Sequence, residues 1–376
     1  MSGDLKLAFK KGLIGRNQGL PTGIPKLDKA LHGIQRGVLI GVGGSPKSGK
    51  STLVDTAFMI HPYLHYLENP NVKLKIFYWS LEMDKISVRF RTIAFFFSND
   101  YGIVSIRLPE GKTYKGLPFI SMSPSYLMTK LKYDGEDGEM IIPTEEHQAI
   151  VDQIIENRIN PMFGTYDEKG KKLTSGVVDI IEDKNDSNPT GIRNILFSYA
   201  KEHGTLMYEE YKTGPNMDIK QRISGYVPSD PDEQLICIID HMRALKRERG
   251  FKMKENMDKL TEYQIEMKNL FNYSFIDIIH LNRNISDITR IKFNNQYLFP
   301  NDDDLKDSGN LAEDADYLLT MFDATDDRYG INIHFNTDIS EIPNYRSIHL
   351  VRSRHSEAPQ HIQTKIYPGI LTFIEL

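Results

Sequence analysis

The chain has 376 residues, 40% of them hydrophobic and 26% charged, the balance of a soluble globular protein with room for one large domain or two medium ones. The net charge of −5 argues neither for nor against a nucleic-acid partner, because local charge decides that question. No apolar run approaches the ~20 residues a bilayer span needs, and Met1-Ser2-Gly3-Asp4-Leu5-Lys6 lacks the apolar core of a signal peptide. The lone cysteine, Cys237, sits in an apolar run, so no intramolecular disulfide forms and the expected compartment is a reducing cytoplasm.

Residues 1–19 read as an N-terminal arm, with a short amphipathic helix over 4–14, and 20–376 as one domain. Its entrance is Leu20-Pro21-Thr22-Gly23-Ile24-Pro25-Lys26-Leu27-Asp28, with Gly33 and Gly37 ahead of an apolar strand over 37–43. That strand runs into Gly44-Ser45-Pro46-Lys47-Ser48-Gly49-Lys50-Ser51, followed by Thr52, which fits G-x-x-x-x-G-K-[ST]. Glycines let successive N–H groups turn toward phosphate oxygens, and the helix expected over 52–60 adds its positive end. Lys50 would neutralise β/γ-phosphates and the Ser51 hydroxyl would ligate Mg²⁺, so the expected ligands are ATP and Mg²⁺.

A second apolar strand, 74–80, delivers Glu82 just beyond its carboxyl end, where a doubly wound sheet gathers its chemistry. There Glu82 either polarises a water or merely opens the next helix. That helix, 84–97, places Ile86, Phe90, Ile93, Ala94 and Phe97 on one face as core. Residues 99–190 carry turn signals and a capped helix from Thr144 to Ile159, and read as helical and loop elaboration. An amphipathic helix follows over 190–204, capped by Thr190, then a turn-rich stretch with Gly-Pro at 214–215.

The buried strand 234–241 ends at Asp240, which either starts a turn or holds the Mg²⁺ hydration shell opposite Ser51. Arg243, Lys246, Arg247, Arg249, Lys252 and Lys254 crowd the next stretch, with Glu248 the only acid. Such a run is a solvated surface or a loop lining a nucleic-acid backbone. A helix over 257–272 presents Leu260, Tyr263, Met267, Leu270 and Phe271, and leads to strand 275–280 and Leu281-Asn282-Arg283. A polar loop, 284–304, holds Arg290 and Lys292. The acidic string Asp304-Leu305-Lys306-Asp307-Ser308-Gly309-Asn310-Leu311-Ala312-Glu313-Asp314-Ala315-Asp316 reads as a helix feeding strand 317–322. Strand 347–355 sets Arg352 and Arg354 on one face, and a hairpin over 362–375 closes the sheet.

Several of these stretches resemble the DnaB type of replicative helicase, whose core is a RecA-like ATPase. They are the Thr22-Gly23 and Leu27-Asp28 entrance, Ser80-Leu81-Glu82-Met83, Leu281-Asn282-Arg283, the 304–316 string and the Arg352/Arg354 pair. The resemblance covers about 20–97 and 190–375. It implies an α/β fold: a RecA-like P-loop ATPase with a central, mostly parallel twisted sheet flanked by helices and a C-terminal β-hairpin. It implies Glu82 as the catalytic base and the two cationic stretches as DNA loops, with Arg352 and Arg354 donated to the ATP of a neighbouring subunit. Where the family has serine-glutamine this chain has Ile279-His280, so His280 is the expected γ-phosphate sensor, with a pH-sensitive turnover. Arg352 replaces a family lysine.

The implied protein is a ring-forming motor on single-stranded DNA in replication, a homo-oligomer and most simply a hexamer. A primase or helicase loader is the implied further partner, and no membrane is. The short lead-in leaves no room for the family's N-terminal primase-contacting domain, which fits a shortened, phage-encoded form working in a host cytoplasm. Two other readings stand beside it: a recombination or strand-exchange ATPase, and a KaiC-like regulatory ATPase that handles no DNA.

Overall fold

The computed structural model describes residues 18–376 apart from 136–137, 168–170, 183–185, 214–217 and 309. The helix expected at 4–14 and the Gly214-Pro215 turn lie outside the described residues.

Chain order gives α1 (Pro25–Leu31), β1 (Leu39–Gly44) and a continuous helical rod made of α2 (Lys50–Val54), wider π-type turns over Asp55–Ile60, and α3 (His61–Glu68). Next come β2 (Lys73–Ser80), α4 (Lys85–Tyr101), the small hairpin β3 (Ser105–Arg107) and β4 (Phe119–Ser121), α5 (Pro124–Leu127), α6 (Glu145–Ile154) and α7 (Asn160–Phe163). They are followed by β5 (Val178–Ile181), α8 (Pro189–Glu202), a long hairpin β6 (Gly204–Thr213) and β7 (Asp218–Pro228), β8 (Glu233–Asp240), α9 (Met253–Phe271) and β9 (Ser274–His280). The chain finishes with α10 (Ile288–Asn294), α11 (Leu311–Asp314), β10 (Tyr317–Phe322), the short pair β11 (Ile333–His334) and β12 (Thr337–Asp338), then β13 (Tyr345–Ser353), β14 (Gln360–Tyr367) and β15 (Thr372–Glu375).

Nine strands form one sheet in the order β15-β14-β13-β10-β1-β9-β8-β2-β5. From β10 to β5 every neighbour is parallel, whereas β13, β14 and β15 add an antiparallel edge. The central strands are mostly apolar because both faces are covered. Their residues alternate between two cores. Ile40, Val42, Ile76, Tyr78, Ile236, Ile238, Ile276 and Ile278 point to the side of α1, the 50–68 rod and α4. Leu39, Phe77, Trp79, Leu235, Cys237, Ile239, Phe275 and Ile279 point to the side of α8 and α9. Cys237 is buried packing, as its apolar setting suggested.

The fold is the expected α/β one, with differences in detail. Residues 99–190 do more than decorate the core, since β5 pairs in parallel with β2 as the edge strand of the sheet. The turn-rich stretch after α8 is the β6–β7 hairpin, in which Gly204 faces Pro228 at the base. In α4 the buried stripe starts at Val88 and runs through Ile93, Ala94 and Phe97, leaving Ile86 exposed in the first turn. Helix α8 is capped two residues earlier than expected: the Asn188 side chain accepts from the Gly191 N–H, and Pro189 takes the first helical position.

The 304–316 string is two short pieces instead of one helix, a 3₁₀ segment over Asp302–Ser308 and then α11. Two of its acids, Asp304 and Asp316, are held in structural contacts. Asp316 Oδ2 accepts from the Leu39 N–H at 2.8 Å and from Lys268 Nζ at 2.7 Å, locking the start of β1 to α9. Among the described residues no helix is long and apolar enough to cross a membrane.

Candidate nucleotide site

Because β1, β2, β8 and β9 run in parallel, their carboxyl ends open on one edge of the sheet. The loop after β1 turns there into α2, with Gly49 at φ +101 as its N-cap, a conformation that L side chains rarely adopt. A Cβ on Gly44 would meet Ser48 Oγ at 2.5 Å and Lys50 Cγ at 2.8 Å, so the cradle closes too tightly for any side chain there. Register then delivers the neighbours. Ser80 pairs with Asp240 across β2 and β8, Glu82 follows two residues on, and His280 pairs with Gly44 across β9 and β1.

Lys50 is buried and donates from Nζ to the Ser45 carbonyl at 2.8 Å. Burial pushes its ammonium down to about 8, against the pull of Asp240 and Glu82. Asp240 is buried too, and burial raises its carboxyl while the Ser51 hydroxyl beside it and Tyr78 hold it down. Asp240 Oδ1 and Ser48 Oγ are buried and have no hydrogen-bond partner among the described residues. Two orphan oxygens flanking a loop of N–H donors are what a hydrated divalent cation and a phosphate would complete. Ser51 and Asp240 therefore fit a Mg²⁺ ion, and Lys50 with the loop amides fits the phosphates.

Behind the site lies a buried network that the sequence reading missed. Tyr78 donates to Asp55 Oδ1 at 2.9 Å, its hydroxyl lies 3.2 Å from Asp240 Oδ2, and Arg91 pairs with Asp55 Oδ2 at 3.1 Å. Arg91 also donates to Thr52 Oγ1 at 3.3 Å, tying α4 to the first turn of α2. Burial raises Asp55 to about 6 although Arg91 opposes it.

Glu82 is half exposed, and its Oε1 lies 2.6 Å from Nε2 of His241, a residue the sequence reading passed over. The His241 and His280 rings meet edge to face at 4.4 Å. Nitrogen and oxygen atoms of Glu82, His241 and His280 all lie within 4.8 Å of one another, close enough to suggest a metal centre. However, the Arg243 N–H donates to His241 Nδ1 at 3.1 Å, which makes Nε2 the protonated nitrogen of a neutral ring. Nε2 is then a donor to Glu82, and the cluster is a hydrogen-bonded pair beside a second histidine.

For His280 the pH sensitivity expected from the sequence is corrected. Burial, helped by Lys50, lowers its imidazole to about 4, so it stays neutral through the physiological range.

The cations divide. Arg243, Lys246, Arg247, Arg249, Lys252 and Lys254 are all exposed, while Glu248 turns inward to accept from the Thr190 N–H at 2.8 Å and from Lys259. In the second stretch Lys292 is exposed. Arg290 corrects the reading of that stretch: its guanidinium grips buried Asp304 at 2.6 and 2.8 Å and is committed to packing. Arg352 and Arg354 do share a side. Arg352 binds the Ala312 carbonyl and the Asp302 carboxylate, and Arg354 donates to the Glu313 carbonyl at 3.1 Å. Arg354 is exposed.

Residues 19–113, which include the phosphate loop and Glu82, match the family model of the DnaB-like helicase C terminal domain. Two solved structures share the fold over the whole chain. One, an isolated ATPase domain, is 14% identical at a TM-score of 0.63, with 100% of this chain and 98% of that one covered. The other, a DnaB-like replicative helicase from a structure of it and its interactions with primase, is 14% identical at a TM-score of 0.61, with 100% and 67% covered. No curated protein sequence matches the chain. The resemblance to the DnaB type of helicase is thus met by a family match at the phosphate loop and by a common fold throughout.

Proposed function

We propose that this chain is an ATP-hydrolysing motor of the DnaB helicase type, which assembles into a ring and moves along single-stranded DNA. The observation that carries the reading is convergence: the phosphate loop, Glu82, Asp240 and His280 come from four strand ends and meet at one edge of the sheet. A structural turn would not gather a buried lysine, an orphan carboxylate oxygen and a half-exposed glutamate.

In this reading the loop amides and Lys50 hold the triphosphate, and Ser51 and Asp240 hold Mg²⁺, which when bound neutralises charge on the β- and γ-phosphate oxygens. Glu82 orients a water and takes its proton as the new P–O bond forms. The bond from the γ-phosphorus to the bridging oxygen breaks, leaving ADP and phosphate. Neutral His280, beside the loop, hydrogen-bonds the γ-phosphate and registers its loss. Arg354, with Arg352 behind it, reaches the ATP of the next subunit and stabilises the charge there. The exposed cations between Arg243 and Lys254, with Lys292, line the channel and replace DNA counterions.

The test is strand displacement on a forked duplex with ATP, using the intact chain. Unwinding that disappears in Lys50→Ala and in Glu82→Gln supports the proposal. Strand pairing without unwinding would turn it toward a recombination ATPase. ATP hydrolysis indifferent to DNA, with no retention on single strands at low salt, would turn it toward a regulatory ATPase.

A further inference from the structure

We infer that His241 is a positioning residue: it orients the Glu82 carboxylate and makes that orientation depend on the cationic loop that begins at Arg243. The inference rests on the reading of Glu82 as the base for the attacking water.

A backbone N–H can only donate, so the 3.1 Å contact from the Arg243 N–H makes His241 Nδ1 an acceptor. A neutral imidazole has one proton, which must then sit on Nε2 and point at Glu82 Oε1, 2.6 Å away. Glu82 is 54% exposed at its side chain and follows the end of β2, where the backbone alone does not fix its rotamer. His241 is 9% exposed at its side chain and held by the sheet, so it is the rigid member of the pair.

The other side of His241 leads straight into the loop. Its carbonyl accepts from the Ala244 N–H at 2.9 Å, forming the tight turn Met242–Ala244, and Met242 and Leu245 are buried beneath it. Just beyond that turn, Lys246 donates its N–H to the Ser187 carbonyl at 3.0 Å. Arg243 therefore sits in the turn and its own N–H sets the histidine tautomer, and Lys246 and Arg247 follow directly from that turn. A shift of this turn when a phosphodiester backbone docks removes the Arg243 contact, frees the ring to exchange tautomers and redirects Glu82. Information passes through a single hydrogen-bond chain: loop N–H, imidazole, carboxylate.

The experiment measures ATPase kinetics with and without single-stranded DNA, and binding of a fluorescent ATP analogue, on the full chain. His241→Leu removes both bonds. It is expected to lower kcat on the order of tenfold to a hundredfold, because a misplaced base loses its alignment, while analogue affinity stays as in the parent. His241→Gln can still donate to Glu82 but offers no ring nitrogen to the Arg243 N–H. It is expected to recover most of the DNA-free rate and to lose the stimulation by DNA. The double variant His241→Leu/Glu82→Gln is expected to be no slower than Glu82→Gln alone, since both act through one carboxylate.

Unchanged kcat in His241→Leu, or the same DNA stimulation ratio in His241→Gln as in the parent, overturns the inference. A double variant markedly slower than Glu82→Gln overturns it as well. Normal hydrolysis by Glu82→Gln is a separate result: it removes the base assignment itself, whatever His241 does.

Discussion

Arg346 and Ser48 are 298 positions apart in sequence, yet the Arg346 Nε–H donates to the Ser48 carbonyl at 3.1 Å while its Nη1 pairs with Asp323 at 2.7 Å. The phosphate loop is thereby clamped from β13 by a guanidinium that is itself largely buried, its side chain 12% exposed. Replacing Arg346 by Met keeps the apolar stem and loses both bonds. ATP affinity is expected to weaken by about tenfold, the worth of one charge-assisted bond, with Arg346→Lys intermediate because an ammonium lacks the planar fork. Titration with a fluorescent ATP analogue measures it, and equal affinity in all three proteins would refute the clamp.

Arg290 and Lys292 sit two residues apart and should behave oppositely. Arg290→Ala leaves Asp304, which is 0% exposed, without its cation, and such a loss costs about 3–5 kcal/mol. A lower Tm is the expected result. Lys292→Ala should leave Tm alone and weaken single-strand binding, with a shallower dependence on salt. Thermal melts and binding titrations at two salt concentrations separate the pair.

Buried His334 and His349 and half-buried His361 cluster at the antiparallel edge. His334 binds the Tyr345 hydroxyl at 2.8 Å and the Leu298 carbonyl at 2.9 Å, and the Nδ1 atoms of His349 and His361 are 2.7 Å apart. Burial lowers all three, His334 to about 4 from 6.5. A folded-state value below the unfolded one means that the unfolded chain takes up protons first. The contribution of these histidines is therefore complete above pH 6.5 and falls as the pH drops toward 4. Between pH 7.5 and 5 the Tm of His361→Phe should change less in the destabilising direction than that of the parent, which thermal melts at the two pH values measure.

Asp277 gives the opposite slope. It is fully buried in β9, accepts from Gln264 Nε2 at 2.9 Å, and keeps Oδ2 without a partner among the described residues. Burial raises its carboxyl to about 7 from 3.8. The folded state holds this proton longer than the unfolded chain, so its contribution is present below pH 3.8 and is lost as the pH rises through 7. Asp277→Asn should stabilise the protein at pH 8 by on the order of 1–3 kcal/mol, with little gain at pH 4. Denaturant melts at the two pH values decide it.

What could be read from the sequence follows how local each signal is. Strands β1 and β8 are buried on both faces and appear as apolar runs, β9 does so on either side of Asp277, and the phosphate loop is a contiguous motif. By contrast β5 is only Val178–Ile181, with its last three residues half-buried, too short and too mixed to stand out. The β6–β7 hairpin exposes Met207, Tyr208 and Val227, so no burial pattern announced it. Arg91 and Arg346 gain meaning only from Asp55 and Asp323, partners that the fold brings up from elsewhere in the chain. His241 lay inside a strand already recognised, but its role depends on a rotamer and a tautomer, which no spacing rule contains.

The β6–β7 hairpin leaves the fold and returns to it at one place, because its base pairs Gly204 with Pro228 just ahead of β8. Near the base Leu206, Ile223 and Tyr226 pack on the α8–α9 core, whereas Tyr208 and Tyr211 farther out face solvent. A fluorophore placed at exposed Tyr208 or Tyr211 is expected to leave β8 and its Asp240 in register. Either position offers an attachment point for following this protein in single-molecule work.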